Sequence, residues 1–123
     1  MPAEKNPVGK YQPIYYAGAS GDFNLIHIDP EFGKMVGLGG NILQGLCTMS
    51  FAAKAVWNYG GDPASLKKLK VRFASPVKPL DTVVVSGKVV AKEGDLVTIN
   101  LVATTKKGEV EVLNNSVAEM RKV

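Results

Sequence analysis

The sequence predicts an α+β fold in which an antiparallel sheet covers one long helix. In the helix predicted from Ile42 to Asn58, apolar residues lie on nearly all sides, which is typical of a helix buried in a core. After residue 66 the chain alternates apolar and polar residues in four segments, which is typical of strands. In 123 residues a curved sheet is the simplest cover for such a helix. We therefore expect one domain over residues 1–123.

The composition excludes several kinds of binding site and partner. Lys and Arg number 15 against 11 Asp and Glu, a formal charge of +4, which fits an anionic partner and fits ordinary solubility charge equally well. The lone Cys47 excludes an internal disulfide, and a single His argues against a His-rich metal site. We expect no metal and no nucleic-acid partner, because neither zinc spacing nor a basic motif interleaved with aromatics is present.

The N-terminal half reads as helices and loops. Pro13 to Ala19 predicts a short helix that begins with proline. Asp29 followed by Pro30 predicts the cap and first residue of a second helix, which Gly37 ends. The segment from Ser20 to Ile28 is then expected to be an irregular loop.

The long helix has its own start signal. Asn41 is expected to cap it, with Gln44 as the capping-box partner. Its apolar run contains Gln44 and Lys54 and is too short to span a bilayer, so we expect no membrane insertion. The polar N-terminus does not resemble a secretory signal, and a cytoplasmic location is expected.

The C-terminal half supplies the strands. Turns are expected at Glu93-Gly94-Asp95 and Lys107-Gly108, and Asn114-Asn115 is expected to form a bulge. A sheet this small has exposed edges, so we expect at least a homodimer. The predicted strands are Lys67–Ala74, Thr82–Lys92, Leu96–Thr105 and Glu109–Arg121.

The loop after the first helix carries most of the functional side chains. The only histidine, His27, follows Asp22 by five residues, and a carboxylate beside an imidazole can bind and polarise a water. Asp22 and Asn24 are also common turn residues, so spacing alone leaves a functional and a purely structural interpretation open.

This loop resembles the hydratase motif of the MaoC-like, (R)-specific enoyl-thioester hydratases and dehydratases. The motif runs from Tyr16 to His27, and the resemblance continues over most of the chain. The segment from Asn41 to Leu46 is similar to the start of the family's central helix, and that from Val71 to Val77 to its next strand. The resemblance implies a hot-dog fold, a curved antiparallel sheet around a long helix.

The resemblance also implies roles for individual residues. Asp22 and His27 would hold the water that adds across the double bond of a trans-2-enoyl thioester, or dehydrate a 3-hydroxyacyl thioester in reverse. Ser20 and Asn24 would brace the loop. The backbone N–H of Gly45 would bind the thioester oxygen, which becomes negative in the transition state.

The chain departs from the family pattern at several positions. Leu25 replaces a proline, Gln44 replaces a histidine, Gly33 replaces an alanine and Leu80 replaces a glycine. Family members also have a strand before the first helix. Here we expect that strand to be absent or vestigial, because Met1 to Gly9 offers few apolar residues.

The partners follow from the proposed substrate. Lys68, Lys70 and Arg72 share one strand face and are candidates for binding the phosphates of coenzyme A or an acidic acyl carrier protein, although a solvated face explains them as well. Two other functions stay open. One is a hot-dog thioesterase, which the lack of Asp and Glu over residues 42–58 disfavours. The other is a non-catalytic acyl-binding subunit, paired as a heterodimer with a related chain.

Overall fold

One antiparallel sheet of five strands dominates the computed structural model, which describes residues 1–107 and 109–121. The helices are α1 (Gln12–Ser20), α2 (Leu25–Ile28), α3 (Pro30–Met35) and α4 (Gly45–Gly60), and a 3-10 turn follows at Pro63–Ser65. The strands are β1 (Glu4–Pro7), β2 (Leu66–Phe73), β3 (Thr82–Glu93), β4 (Leu96–Thr105) and β5 (Glu111–Arg121). Their order is β1-β3-β4-β5-β2, so β1 and β2 form the two edges.

The core lies between one face of the sheet and α4. Every second residue of β4 is buried, as its alternation predicts. The small side chains Ala52 and Ala55, with Val56, form the buried face of α4 and allow a close approach to the strands. The buried residues of β4 are Val97, Ile99, Leu101, Ala103 and Thr105.

The predicted turn at Glu93-Gly94-Asp95 and the predicted bulge both have counterparts in the structure. Gly94, at φ 63°, lies in the two-residue connection between β3 and β4. Asn115 has φ 46°, and the pairing of β5 with β4 shifts by one residue between Leu101 and Ala103, which confirms the bulge. The predicted turn at Lys107-Gly108 includes Gly108, which lies outside the described residues.

The front strand is present, although it is short. The four residues of β1 pair with β3, where the sequence predicted the strand to be absent or vestigial. Its inward residue, Asn6, is buried and donates to the carbonyl of Val83 at 3.3 Å. Lys54 of α4 donates to the Asn6 side-chain oxygen at 2.6 Å. Polar contacts therefore hold a strand that an apolar pattern cannot reveal.

Helix α4 differs from its prediction in two respects. It begins at Gly45 rather than near Ile42, and Gln44 occupies the cap position with no side-chain cap. The sheet covers only one side of the helix. Leu46 is 63% exposed and Tyr59 is 44% exposed, so the prediction of burial on all sides is wrong for a single copy. None of the described helices is long and apolar enough to cross a membrane.

The segment after α1 contains a helix that the sequence did not predict. Asn24 caps the four-residue helix α2 by accepting a hydrogen bond from the N–H of Ile26 at 3.2 Å. The start of α3 is as predicted, because Asp29 caps it and Pro30 is its first residue. Helix α2 therefore replaces the second half of the expected irregular loop, and α3 follows it directly.

Replacing Gly33 with alanine is expected to destabilise the fold. A Cβ on Gly33 would lie 1.9 Å from the Gly40 carbonyl oxygen, a backbone atom that cannot rotate away. Relieving such a contact typically costs about 1–3 kcal/mol. Urea unfolding of the Gly33→Ala variant measures this loss in the free energy of unfolding. Gly18→Ala is the matched control, because it lies in α1 with nothing within 4 Å of the new Cβ. A Gly33→Ala variant as stable as Gly18→Ala would contradict the close approach of the Gly40 carbonyl to Gly33.

Candidate active site

The loop between α1 and α2 is organised by successive side-chain hydrogen bonds. Ser20 Oγ accepts from the N–H of Asp22 at 3.1 Å, and Asp22 Oδ1 accepts from the N–H of Asn24 at 3.3 Å. Asn24 in turn caps α2, which carries His27. Leu25 is the first residue of α2, a position that also accepts proline. These contacts fix Asp22 relative to His27, and the loop-bracing role of Ser20 and Asn24 stays a prediction.

The imidazole of His27 is buried and oriented by a backbone carbonyl. Its Nδ1 lies 2.8 Å from the carbonyl oxygen of Ile42. A carbonyl oxygen only accepts, so Nδ1 carries the hydrogen. Nε2 then faces Asp22 Oδ2 at 3.6 Å, with the His27 side chain 10% exposed and that of Asp22 50% exposed. The structure thus brings the two predicted catalytic residues together at the solvent-facing end of the ring.

The distance between Asp22 and His27 has a chemical consequence. In neutral His27, Nε2 is an acceptor, and an ionised carboxylate is also an acceptor. At 3.6 Å the two atoms are too far apart for a good direct hydrogen bond. A water molecule has two O–H groups and can donate to both atoms at once. The pair is therefore suited to hold one water and to remove a proton from it.

Neighbouring backbone contacts hold the His27 segment in place. Asn41 Nδ2 donates to the His27 carbonyl at 2.9 Å, which is what Asn41 does instead of capping α4. The N–H of Ile42 donates to the carbonyl of Ile26 at 2.9 Å. Neither Asn41 nor Ile42 was predicted to position the histidine. This positioning role is visible only in the structure, where Asn41 and Ile42 lie beside α2. No sequence pattern indicates it.

His27 and Gly45 line the same pocket, which has a volume of about 320 Å³. Gly45 is the first residue of α4, so its N–H has no partner within the helix. Gln44 does not cap this end, because its side chain is buried and its Nε2 donates to the Pro13 carbonyl at 2.8 Å. The N–H of Gly45 is therefore available to a ligand oxygen, whereas the N–H of Cys47 donates to the Gln44 carbonyl at 3.0 Å.

The ring of Phe73 covers Gly45. A Cβ on Gly45 would lie 3.2 Å from the nearest ring carbon of Phe73, a close contact with a side chain. Phe73 is 52% exposed, although it is an apolar residue in the alternating pattern of β2. The residues that follow it, including Val77, also line the pocket. Phe73 is thus a pocket residue that the sequence analysis missed.

The basic residues of β2 lie outside this pocket. Lys68, Lys70 and Arg72 are exposed, and none of them is among the pocket-lining residues. Arg72 Nη1 donates to Asn114 Oδ1 at 2.6 Å, which ties it to β5. Arg72 directly precedes the pocket residue Phe73, so only this end of the basic strand approaches the site.

Cys47 is a buried packing residue in the first turn of α4. Burial raises the pKa of the Cys47 thiol, and Gln12 Nε2 lies 3.7 Å from its sulfur. A raised pKa disfavours the nucleophilic thiolate. Among the described residues, no group of three His, Cys, Asp or Glu side chains could hold a metal ion.

Comparison with known proteins identifies the family and the fold of this chain. Residues 3–112 match the model of the family described as the MaoC like domain. The peroxisomal hydratase-dehydrogenase-epimerase of Saccharomyces cerevisiae is 40% identical over 101 residues, which are 82% of this chain and 10% of that protein. The peroxisomal enoyl-CoA hydratase 2 of Arabidopsis thaliana is 45% identical over 67 residues, or 53% of this chain and 22% of that one. The chain thus spans a small part of these relatives.

Solved structures agree with the fold. The (R)-hydratase of A. caviae involved in PHA biosynthesis has a TM-score of 0.88 and 19% identity, with 99% of this chain and 93% of that chain covered. A MaoC-like dehydratase of Phytophthora capsici has a TM-score of 0.86 and 30% identity, with 98% and 40% covered. The architecture is therefore the hot-dog fold that the resemblance implied.

Proposed function

Since the chain belongs to the MaoC-like domain family, we propose that it hydrates trans-2-enoyl thioesters to (R)-3-hydroxyacyl thioesters and catalyses the reverse dehydration. One observation carries the proposal. Asp22 and His27 converge on a position for one water, beside a pocket in which Gly45 presents a backbone N–H. Family membership supports this use of the site.

The proposed reaction is an addition that needs no redox step. The thioester oxygen lies against the N–H of Gly45, and the water between Asp22 and His27 attacks C3. The C3–O bond forms as one O–H bond of the water breaks, and the Asp22–His27 pair takes that proton. The C2–C3 double-bond electrons move toward the thioester, and the N–H of Gly45 stabilises the enolate oxygen. The pair then returns a proton to C2, so its own charge is unchanged at the end.

The fixed tautomer of His27 matters to this scheme. Because Nδ1 is held by the Ile42 carbonyl, proton exchange with the water occurs at Nε2. The same carbonyl stabilises the imidazolium that forms if His27 accepts the proton. The reaction calls for neither a metal nor an organic cofactor.

An assay with short and medium trans-2-enoyl-CoA substrates tests the reaction class. The absorbance of the conjugated thioester reports loss of the double bond, and a thiol reagent reports release of free CoA. We expect the absorbance to fall without thiol release. Thiol release at the same rate would favour the thioesterase alternative, although α4 contains no Asp or Glu over Gly45–Gly60. Substrate binding without either signal would favour a non-catalytic acyl-binding subunit.

We also propose that two copies associate through the uncovered side of the fold. Tyr15 on α1 is 74% exposed, Met35 on α3 is 75% exposed and Leu46 on α4 is 63% exposed, so each of these helices leaves a large apolar side chain uncovered. Light scattering at micromolar concentration is expected to give the mass of a dimer or a higher oligomer. A monomer mass would contradict the proposal. One structural neighbour is described as the ChsH1-ChsH2 complex from Mycobacterium tuberculosis, so a related second chain is the alternative partner.

The carrier and the cellular location are further proposals. Coenzyme A and acyl carrier protein both present the thioester on a phosphopantetheine arm, and Lys68, Lys70 and Arg72 are candidates for its phosphates. The cytoplasmic location stays a prediction, and the peroxisomal names of the relatives apply to those proteins.

A further inference from the structure

The active-site pocket contains a buried hydroxyl group that the proposed reaction does not use. Thr48 lies on α4, one helical turn after Gly45, and both residues line the pocket. Thr48 is only 3% exposed. Most of the other lining side chains are apolar, among them Leu43, Val77 and Val112. Buried hydroxyl groups normally have a hydrogen-bond partner, so the position of Thr48 needs an explanation.

The hydroxyl of Thr48 has no partner in the part of the chain that the structure describes. A helical threonine often donates to the carbonyl four residues earlier, which here belongs to Gln44. That carbonyl already accepts from the N–H of Cys47 at 3.0 Å and from the N–H of Thr48 at 3.3 Å. Because an amide oxygen has two lone pairs, the usual acceptor is fully used. The nearby Ser50 differs, since its Oγ donates to the Cys47 carbonyl at 2.5 Å.

The hydroxyl oxygen of Thr48 reaches the pocket. Among the described residues, the buried and unpartnered side-chain atoms with no accessible surface belong to Glu4, Gln44 and Ser65. Thr48 Oγ1 is not one of them, so this oxygen has accessible surface. The surface to which Thr48 contributes is the wall of the active-site pocket. The hydroxyl is therefore a donor that a ligand in the pocket can use.

Helix geometry places this hydroxyl beside the start of α4. In a helix each Cα–Cβ bond tilts toward the N-terminus, and residues three apart lie on the same face. The side chain of Thr48 therefore covers the turn that begins with Gly45, on the side that lines the pocket. Backbone N–H groups also point toward the helix N-terminus, so the free N–H of Gly45 emerges at this end. The two donors thus belong to one wall of the pocket.

We propose that the hydroxyl of Thr48 is a second donor to the thioester oxygen, beside the N–H of Gly45. This inference rests on the proposed function, in which that oxygen lies against Gly45. The oxygen has two lone pairs and gains negative charge as the water adds, so both hydrogen bonds strengthen in the transition state. The apolar side chains of Leu43 and Val112 lower the local dielectric and strengthen them further. Thr48 is then a catalytic residue that no sequence motif indicated.

Thr48→Val tests the inference, because valine keeps the branched shape and removes only the hydroxyl. We expect kcat for enoyl-CoA hydration to fall about 10²–10³-fold, the usual cost of losing one oxyanion donor. We expect KM to change less than about threefold, because the bond is strongest in the transition state. An unchanged kcat would overturn the inference and leave the hydratase proposal standing.

Thr48→Ser is the matched variant, because it retains the donor and loses only a methyl group. Its kcat is expected to stay within about fivefold of the parent value. A Thr48→Ser variant as slow as Thr48→Val would assign the loss to packing and would overturn the inference. Thr98→Val removes a hydroxyl from β4 between the buried residues Val97 and Ile99, so its side chain points away from the core. This control is expected to keep the parent rate.

A chromophoric ligand gives a readout that does not depend on turnover. The probe is 4-(dimethylamino)cinnamoyl-CoA, whose absorbance moves to longer wavelength when hydrogen bonds polarise its thioester carbonyl. We expect a clear shift with the parent protein and with Thr48→Ser, and a smaller shift with Thr48→Val. Equal shifts for the parent and Thr48→Val, zero included, would overturn the inference. A protein without hydratase activity whose shift still depends on Thr48 would overturn the proposed function and leave the second donor standing.

Unfolding by urea separates this role from a structural one. The Thr48 hydroxyl has no partner within the described chain, so Thr48→Val is expected to keep or raise the midpoint of unfolding. A lower midpoint would show that the hydroxyl stabilises the folded protein itself, and this result would overturn the inference.

Discussion

Replacing Asp22 with asparagine is expected to lower kcat for enoyl-thioester hydration by about 10²–10⁴-fold, the usual contribution of a positioned acid–base group. Asparagine retains the shape of the side chain and can still accept the hydrogen bond from the N–H of Asn24. It removes the charge that makes the oxygen facing His27 Nε2 a base. The variant should therefore fold and bind substrate with the water no longer activated. Steady-state rates with one enoyl-CoA measure the effect.

A second acidic residue provides the control for Asp22→Asn. Asp95 is exposed and pairs with Arg121 at 2.9 Å, away from the candidate site, so Asp95→Asn removes the same charge without touching the pair. Its activity should match the parent protein, since exposed ion pairs contribute about 0–1 kcal/mol to stability. His27→Ala should resemble Asp22→Asn. A folded Asp22→Asn variant with the parent rate would show that this carboxylate does not activate the water.

Replacing Gly45 with proline is expected to lower kcat by about 10²–10³-fold, the usual cost of removing one oxyanion donor. Proline removes the backbone N–H but is tolerated in the first position of a helix, which Gly45 occupies. The preceding residue, Gln44, already has φ −60° and ψ 136°, a conformation that proline favours in its neighbour. The helix should therefore keep its start while the proposed thioester contact is lost.

Gly45→Ala separates the lost donor from added bulk. Both variants bring carbon atoms toward the ring of Phe73, which lies 3.2 Å from a Cβ at this position, but only alanine retains the N–H. We expect Gly45→Ala to lose less activity than Gly45→Pro, with the loss in KM as well as kcat. Equal kcat values for the two variants would place the thioester oxygen elsewhere. Circular dichroism checks that α4 is retained in both.

Elements that depend on local patterns were predicted well from the sequence. Asp29 and Pro30 specify the start of α3, and alternation specifies β4. Strand β1 could not be predicted with the same rules, because its inward residue Asn6 is polar and is held by Lys54, 48 residues away. The start of α4 was misplaced for a similar reason. Asn41 donates a hydrogen bond to the His27 carbonyl instead of capping α4, because tertiary contacts bring these two residues together.

In the candidate site, too, some features could be predicted from the sequence and others could not. The sequence motif pointed to Asp22, His27 and Gly45, and the structure places His27 beside Asp22 and in the same pocket as Gly45. The tautomer of His27 could not be predicted, since it depends on the carbonyl of Ile42, 15 residues away.

The configuration of the product is a sharp test of the proposed mechanism. In that mechanism Asp22 and His27 hold the water on one side of the pocket, so a bound enoyl thioester is attacked on one face only. Product from trans-2-enoyl-CoA is converted with dehydrogenases specific for (R)- or (S)-3-hydroxyacyl-CoA, and NADH formation is followed. We expect the (R)-specific enzyme to oxidise all of the product. An (S) or racemic product, formed by protein in which Asp22→Asn abolishes turnover, would contradict it.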